Sequence, residues 1–172
     1  PGRDEAWLTR SPMGKVPALE TADGPIAETM AIAEYLEELQ PEPRLLPTDA
    51  FARAKARQIA YHTIYYIDLA ARPGLNSAAF GAPEDEAVNK TIAKLAPRGM
   101  KALGSIARFA PWIGGDTFTL ADIVAANTIP LATMVAQQLC DSDLMAELPA
   151  LGDWMARVND RDSMKQINAD RA

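Results

Sequence analysis

The sequence predicts an α+β protein that is mostly α-helical, in which a small hairpin-containing domain precedes an all-helical one. Near the start of the chain, an Asp23-Gly24 pair separates two short extended segments, as in a β-hairpin. Residues 41–49 contain three prolines, which neither a helix nor a central strand accommodates. Beyond them, apolar residues recur at the helical period and do not alternate. We therefore predict domains at residues 1–40 and 50–172, joined by a linker at 41–49.

The hairpin and the helix that follows it are predicted from turn chemistry and spacing. Residues 16–20 and 25–27 are the two strand candidates, because an Asp-Gly pair favours a tight turn between antiparallel strands. From Thr29 onward, apolar side chains recur at i, i+3, i+4 and i+7, which predicts a helix with one buried stripe. This stripe consists of Ile32, Tyr35, Leu36 and Leu39. Pro41 is expected to end the helix.

The second domain is predicted to contain helices over residues 50–72, 83–110, 119–139 and 148–158. Prolines and glycines mark where these helices end or are interrupted. We expect the first to stop before Pro73, because proline disfavours a helical residue before it. The second is expected to be interrupted at Pro97 and Gly99. In the third, Pro130 predicts a kink or an early end.

The start of the third helix carries a strong capping signal. Thr119 precedes the apolar run, and Asp122 follows three residues later. In a capping box, the threonine side chain accepts a hydrogen bond from the backbone of the third helical residue, whose own side chain accepts from the threonine backbone. We therefore predict that Thr119 and Asp122 form a structural cap. Removing the Thr119 hydroxyl is expected to cost about 1 kcal/mol.

Composition and charge exclude several classes of function. The net charge is -6 and the basic residues are scattered among acids, which argues against nucleic-acid binding. No apolar run approaches the roughly 20 residues of a membrane helix. Cys140 is the single cysteine and His62 the single histidine, so a disulfide within the chain and a Cys/His zinc site are excluded. We expect a cytoplasmic protein that binds no metal, nucleic acid or membrane.

Several short motifs follow one another in a fixed order. They are the runs Gly14–Leu19, Glu28–Thr29, Glu34–Leu36, Arg44–Pro47 and Gly115–Ile123. In this order they resemble the cytosolic glutathione S-transferase family over about the whole chain. The resemblance implies a thioredoxin-like N-terminal domain, of which residues 1–40 form only a part, and an all-helical C-terminal domain. It also implies glutathione as co-substrate, an electrophilic small molecule as second substrate, and a homodimer.

The resemblance assigns glutathione binding to Lys15, Val16, Pro17, Glu28 and Thr29. It implies a cis bond before Pro17, which leaves the backbone N–H and C=O of Val16 free to pair with the cysteinyl part of glutathione, like an added strand. Thr29 would offer its hydroxyl and amide to the γ-glutamyl carboxylate at a helix N-terminus. Glu28 would accept from the α-amino group, and Lys15 would pair with the glycine carboxylate.

The catalytic residue is expected outside this sequence. In the family, an activating Ser, Tyr or Cys ends the first strand of a β-α-β unit, which we expect upstream of Pro1, and no residue here replaces it. The family also lines the co-substrate pocket with the first helix of the second domain. Tyr61 and Tyr65 lie four residues apart on that helix and share a face, so we assign them to this pocket.

Two other reactive side chains are predicted to be structural. His62 has no evident acid partner, so we expect a packed or surface residue and not a catalytic base. Cys140 precedes Asp141 and Asp143, whose charges would raise the pKa of its thiol and lower its reactivity.

The predicted reaction is attack of the glutathione thiolate on an electrophile. Such catalysis depends on a lowered thiol pKa and on positioning of the electrophile. Two alternatives stay open. One is a transferase-like interaction module that binds glutathione weakly or not at all. The other is a glutathione-dependent isomerase, because Arg44–Pro47 also resembles such relatives.

Overall fold

The structure, a computed structural model, describes residues 4–171. The chain divides into two compact units, Pro1–Leu46 and Pro47–Ala172. The first contains a two-stranded sheet and two helices. In the described part of the second, the regular secondary structure is helical, apart from an isolated bridge between Trp112 and Gly115. The predicted α+β class with a predominance of helix is confirmed.

The first unit consists of α1 (Glu5–Arg10), β1 (Ala18–Thr21), β2 (Gly24–Ala27) and α2 (Thr29–Leu39). The strands pair antiparallel, as predicted. At the turn, the Thr21 hydroxyl donates to the carbonyl of Gly24 at 2.7 Å, and Gly24 has a φ of 125° that favours glycine. Helix α2 ends before Pro41, again as predicted.

Strand β1 begins later than the sequence predicts. The ladder starts where Ala18 faces Ala27, so Val16 and Pro17, which we placed in the strand, precede it. Proline has no N–H with which to join a ladder, and pairing therefore begins after Pro17.

The apolar stripe of α2, predicted to be buried, is buried only in part. Leu36 and Leu39 expose 47% and 63% of their surface, and Ile32 and Tyr35 are half-buried. An 11-residue helix is about 16 Å long, whereas paired strands lie about 5 Å apart. The hairpin therefore covers only part of the helix, and in α2 the buried residue is Met30.

Glu37 fixes the chain that follows α2. Its carboxylate accepts hydrogen bonds from the backbone N–H of Leu45 at 3.0 and 3.1 Å and from that of Leu46 at 3.0 Å. Leu46 itself is buried. The first unit therefore extends through Leu46, into the stretch that we predicted to be a linker.

The second unit begins with a helical stretch of mixed geometry. It consists of α3 (Ala50–His62), a π-helical segment (Thr63–Asp68), α4 (Leu69–Ala71), a 3₁₀ turn (Arg72–Gly74) and α5 (Leu75–Phe80). The remaining helices are α6 (Glu86–Ile106), α7 (Leu120–Cys140), α8 (Ala150–Asn159) and α9 (Asp162–Arg171). The third and fourth predicted helices correspond to α7 and α8.

Prolines interrupt these helices less than predicted. The 3₁₀ turn accommodates Pro73 near its start, where a missing N–H is tolerated, and the chain continues into α5. Pro97 and Gly99 both lie inside the continuous α6, and Pro130 lies inside α7. Burial of α6 side chains such as Met100 outweighs the local cost of about 3 kcal/mol for an internal proline. Helix α9, rich in polar residues, was not predicted.

Helix α7 lies at the centre of the second unit. It packs against α3, the π-helical segment, α5 and α6. Its buried apolar residues include five alanines beside four larger side chains, namely Ala121, Ala125, Ala126, Ala132 and Ala136 with Leu120, Val124, Ile129 and Val135. Among the described residues, α7 is the one helix whose length and composition would suffice to cross a membrane, a test that buried core helices also pass.

The buried carboxylate of Asp122 joins three parts of this unit. Its Oδ1 accepts from the backbone N–H of Ile113 and from the indole N–H of Trp154, both at 2.8 Å. Its Oδ2 accepts from the N–H of Thr119 at 2.8 Å and from the Thr119 hydroxyl at 3.2 Å. Thr119 and Asp122 form a capping box at the start of α7. The carboxylate thus binds the loop before α7, the first turn of α7, and α8.

Replacing Asp122 with Ala is expected to lower the free energy of unfolding by about 3–5 kcal/mol, because buried donors on Ile113, Thr119 and Trp154 lose their acceptor. Urea unfolding followed by circular dichroism measures this. Asp116→Ala is the matched control, since Asp116 is exposed six residues earlier. Equal stability of the two variants would contradict the role assigned to Asp122.

Gly99 allows α6 to approach the π-helical segment closely. A Cβ atom at this position would overlap the carbonyl oxygen of Tyr66 and lie 2.8 Å from its carbonyl carbon. The carbonyl of Gly99 accepts from Nε2 of His62 at 2.9 Å. A carbonyl oxygen only accepts, so Nε2 carries the proton. The close approach of Gly99 to Tyr66 and the hydrogen bond from His62, the last residue of α3, together hold α6 against this helical stretch.

Gly99→Ala is expected to lower the free energy of unfolding by about 1–3 kcal/mol, because the added methyl group meets backbone that cannot move aside. Gly152→Ala provides the control, since a Cβ there meets no atom within 4 Å and alanine favours helix α8. Measured by urea unfolding, the Gly152→Ala variant should be at least as stable as the wild type. A Gly99→Ala variant of wild-type stability would refute the close approach.

Candidate functional site

The five residues assigned to glutathione lie in the first unit and are exposed. The Val16-Pro17 bond is cis. Because the ladder begins where Ala18 faces Ala27, Val16 and Thr29 extend from the same open end of the hairpin. Among the described residues, the backbone N–H and C=O of Val16 form no backbone hydrogen bond. This end of the hairpin therefore presents an unpaired stretch of backbone beside the start of α2.

Glu28 and Thr29 stand at the N-terminus of α2. Glu28 has a φ of 76°, a conformation that costs a non-glycine residue about 1–3 kcal/mol, and its side chain forms no capping hydrogen bond. Thr29 is the first helical residue, so its N–H lacks an intrahelical partner. Such unpaired N–H groups and the helix dipole attract an anion. Because the Glu28 side chain forms no capping hydrogen bond, Glu28 does not act as an ordinary side-chain cap of α2.

Ser11, which sequence reasoning missed, holds the loop in front of Val16. Its buried hydroxyl donates to the carbonyl of Lys15 at 2.7 Å and accepts from the Lys15 N–H at 3.1 Å. The N–H of Gly14 donates to the Ser11 carbonyl at 2.7 Å, and Gly14 has a φ of 64°. The Ser-Pro pair at Ser11 is a turn signal that points to this loop.

A cavity of about 380 Å³ lies within the first unit and is lined by Arg10, Ser11, Met13 and Glu28, among others. The guanidinium of Arg10 pairs with Glu20 at 2.7 Å, on the exposed side of β1. Among the described residues, no ion pair involves the Lys15 ammonium group. Lys15 is thus available to an anionic ligand, whereas Arg10 is already paired.

Ser11→Ala is expected to speed backbone amide exchange at Lys15 about tenfold, because the N–H of Lys15 loses its acceptor. Hydrogen exchange followed by mass spectrometry over residues 11–17 measures the change. The matched control is Ser105→Ala, whose exposed hydroxyl bonds only to the Ala102 carbonyl within α6. Unchanged exchange at Lys15 would show that the Ser11 hydroxyl does not hold the loop.

In the second unit, the two tyrosines predicted to share a face do so. The rings of Tyr61 and Tyr65 are stacked, with centroids 5.7 Å apart and planes 5° from parallel. Tyr65 also lines an open cavity of about 620 Å³ between the π-helical segment and α6, which we call the tyrosine groove. Its other lining residues are His62, Tyr66, Leu69, Ala70, Leu95, Arg98, Gly99 and Ala102, and Tyr61 is not among them.

The two side chains predicted to be structural have packing roles. His62 donates to Gly99 and its ring lies against Tyr66, with centroids 5.1 Å apart. The Cys140 thiol donates to the carbonyl of Asn89 at 3.3 Å. Burial raises the pKa of Cys140, a backbone hydrogen bond from Ala93 lowers it, and the charge of Glu84 raises it. The direction agrees with prediction, but burial and Glu84 cause the shift, and not the adjacent aspartates.

Comparison with known proteins identifies relatives of both units. Residues 1–38 match the family model of the glutathione S-transferase N-terminal domain, and residues 85–157 match that of the C-terminal domain. A glutathione S-transferase of Pseudomonas putida is 32% identical over 99% of this chain and 77% of the relative. A maleylacetoacetate isomerase of Pseudomonas aeruginosa is 31% identical over 70% of this chain and 58% of the relative.

A solved structure extends the comparison to a bound ligand. The glutathione transferase homologue from Sulfitobacter with bound glutathione has a TM-score of 0.70 and 25% identity, over 97% of this chain and 79% of its own. Together these similarities show that the chain belongs to the glutathione S-transferase family. The predicted class of enzyme, a glutathione transferase, is confirmed.

Proposed function

We propose that this transferase binds glutathione at the open end of the hairpin, through Lys15, Val16, Pro17, Glu28 and Thr29. The observation that carries the proposal is the unpaired backbone of Val16 at the same end of the hairpin as the N-terminus of α2. A peptide ligand adds to such backbone as an extra strand. Its γ-glutamyl carboxylate is matched by the first-turn N–H groups, and its α-amino group by Glu28.

The reaction that we propose is conjugation. The thiol of bound glutathione loses its proton to solvent, and the thiolate forms a carbon–sulfur bond with an electrophile, from which a leaving group such as chloride departs. The residues named above hold the peptide and fix its direction, which supplies the positioning part of catalysis. The group that lowers the thiol pKa is not one of them.

The remaining parts of the proposal concern the second substrate and the assembly. Tyr65, with Tyr61 stacked behind it, is proposed to contact the electrophile, because an exposed aromatic ring packs well against an apolar substrate. We further propose a cytoplasmic homodimer that needs no metal. Among the described residues, no group of three or more His, Cys, Asp or Glu side chains is placed to hold a metal ion.

An isomerase is the second candidate function, favoured by the similarity to the maleylacetoacetate isomerase. In that reaction the thiolate would add to a carbon–carbon double bond and leave again after rotation, so glutathione would be regenerated. Conjugation instead consumes one glutathione for each product. Measuring the concentration of free thiol during turnover, once with an aryl halide and once with a maleyl compound, distinguishes conjugation from isomerisation. A non-catalytic module would show neither activity.

Thr29→Ala is expected to weaken glutathione binding about fivefold to tenfold, because a hydroxyl that donates to a charged carboxylate is lost while the N–H remains. The intact gene product should be retained on glutathione-agarose, and this variant should elute early. Thr48→Ala, an exposed threonine in the second unit, serves as control and should be retained normally. Normal retention of Thr29→Ala would refute the site.

A further inference from the structure

The helical unit contains a further cavity, away from the tyrosine groove. It has a volume of about 320 Å³ and lies between α3 and the loop that joins α6 to α7, and we call it the loop cavity. Phe51, which exposes 75% of its surface, and the buried Ile59 line it from α3. The cavity thus offers both an accessible aromatic ring and an apolar wall. Its volume is at the small end of the range of small-ligand sites.

Hydrogen bonds fix the loop that forms the opposite wall. The N–H of Arg108 donates to the carbonyl of Ile113 at 2.9 Å, and Trp112 and Gly115 exchange two backbone hydrogen bonds of 2.9 and 3.0 Å. The N–H of Ile113 is bound by the buried Asp122. The Arg108 side chain lies beside Gly115, where a Cβ atom would be 3.7 Å from its Cδ and 4.0 Å from its Nη1. The wall and its arginine are therefore formed before a ligand binds.

Two cations line the loop cavity from different walls. Lys55 comes from α3 and Arg108 from the loop. Within residues 4–171, neither side chain forms an ion pair, and the Lys55 ammonium group donates to the amide oxygen of Gln58 at 2.6 Å. Asp116 is the one acid among the described lining residues, and it pairs with neither cation. Positive charge therefore exceeds negative charge here, in a chain whose net charge is -6.

These groups match a phosphate better than a carboxylate. A phosphate monoester carries about 1.5 to 2 negative charges at neutral pH and three terminal oxygens. A guanidinium binds two such oxygens through parallel hydrogen bonds, and an ammonium group adds a compact second charge. The exposed Thr117 also lines the cavity, and its hydroxyl and backbone N–H have no hydrogen-bond partner in the described part of the chain. They are available to the remaining oxygen.

We propose that the loop cavity binds a phosphate monoester joined to a planar ring, as in a nucleoside monophosphate. The phosphate lies between Lys55 and Arg108, and the ring packs against Phe51, since nucleobases stack on exposed aromatic side chains. The five residues assigned to glutathione belong to the first unit, so this proposal does not depend on the function proposed above. Because the ligand binds a wall that is held by Asp122, its binding stabilises the folded helical unit.

Isothermal titration calorimetry of the intact gene product, without glutathione, tests the proposal with adenosine monophosphate and adenosine. The wild type should bind the monophosphate at least about tenfold more tightly, and Lys55→Ala or Arg108→Ala should each raise its Kd about tenfold. Lys101→Ala, the control, removes one positive charge from an exposed position of α6 outside the cavity and should leave the Kd unchanged. Phe51→Ala should weaken both ligands about fivefold.

Asp116→Asn provides a test in the opposite direction. It removes the negative charge from the cavity at nearly constant size, so it should lower the Kd of the monophosphate about threefold. Such a gain in affinity cannot result from a folding defect, and the variant is therefore decisive even where Arg108→Ala fails to fold.

Several results would overturn the proposal. They are the absence of monophosphate binding, equal Kd values for the monophosphate and adenosine, equal Kd values for Arg108→Ala and Lys101→Ala, and weaker binding by Asp116→Asn. Inorganic phosphate that competes as well as the monophosphate would refute the part assigned to the ring. Retention on glutathione-agarose is measured separately and reports on the first unit, so failure of the glutathione site and failure of the loop cavity are recognised independently.

Discussion

The carboxylate of Asp122 sets the arrangement of the helical unit. A buried carboxylate costs several kcal/mol unless its oxygens are paired, and here both oxygens accept two hydrogen bonds each. The donors come from the loop before α7, from the first turn of α7, and from Trp154 on α8. Because α3, the π-helical segment, α5 and α6 all pack on α7, the direction in which α7 starts determines where they lie. The tyrosine groove, between two of these elements, depends on the same start.

The sequence predicts those parts of the fold whose signals are local. The Asp-Gly turn identifies the hairpin, and the spacing of Thr119 and Asp122 identifies the start of α7, because each signal lies within four residues. The predictions made from prolines were wrong where tertiary packing stabilises the helix. Pro97 lies in the middle of α6 because Met100 and its buried neighbours stabilise the helix by more than the proline costs. The same reasoning from local propensity overestimated the burial of α2, since the width of a sheet is not a local property.

The two candidate sites differ in how far a sequence can reveal them. The residues assigned to glutathione binding lie within a stretch of fifteen residues, so an ordered motif is enough to propose them. Ser11 could not be identified in this way. The role of Ser11 becomes visible only when its hydroxyl is seen to close the loop on Lys15. The tyrosine groove could not be identified either, because its walls are about thirty residues apart in sequence and meet where Gly99 has no side chain.

The hydrogen bonds of Glu37 affect where this chain can recombine with a related chain during evolution. Because this carboxylate holds the N–H groups of Leu45 and Leu46, a recombination that joined the first unit to a foreign helical unit at Pro41 would leave a carboxylate without its donors. A crossover at Pro47 keeps all of these contacts inside one parent. Gene fusions and laboratory chimaeras built from this chain should therefore tolerate a junction after Leu46 better than one at the end of α2.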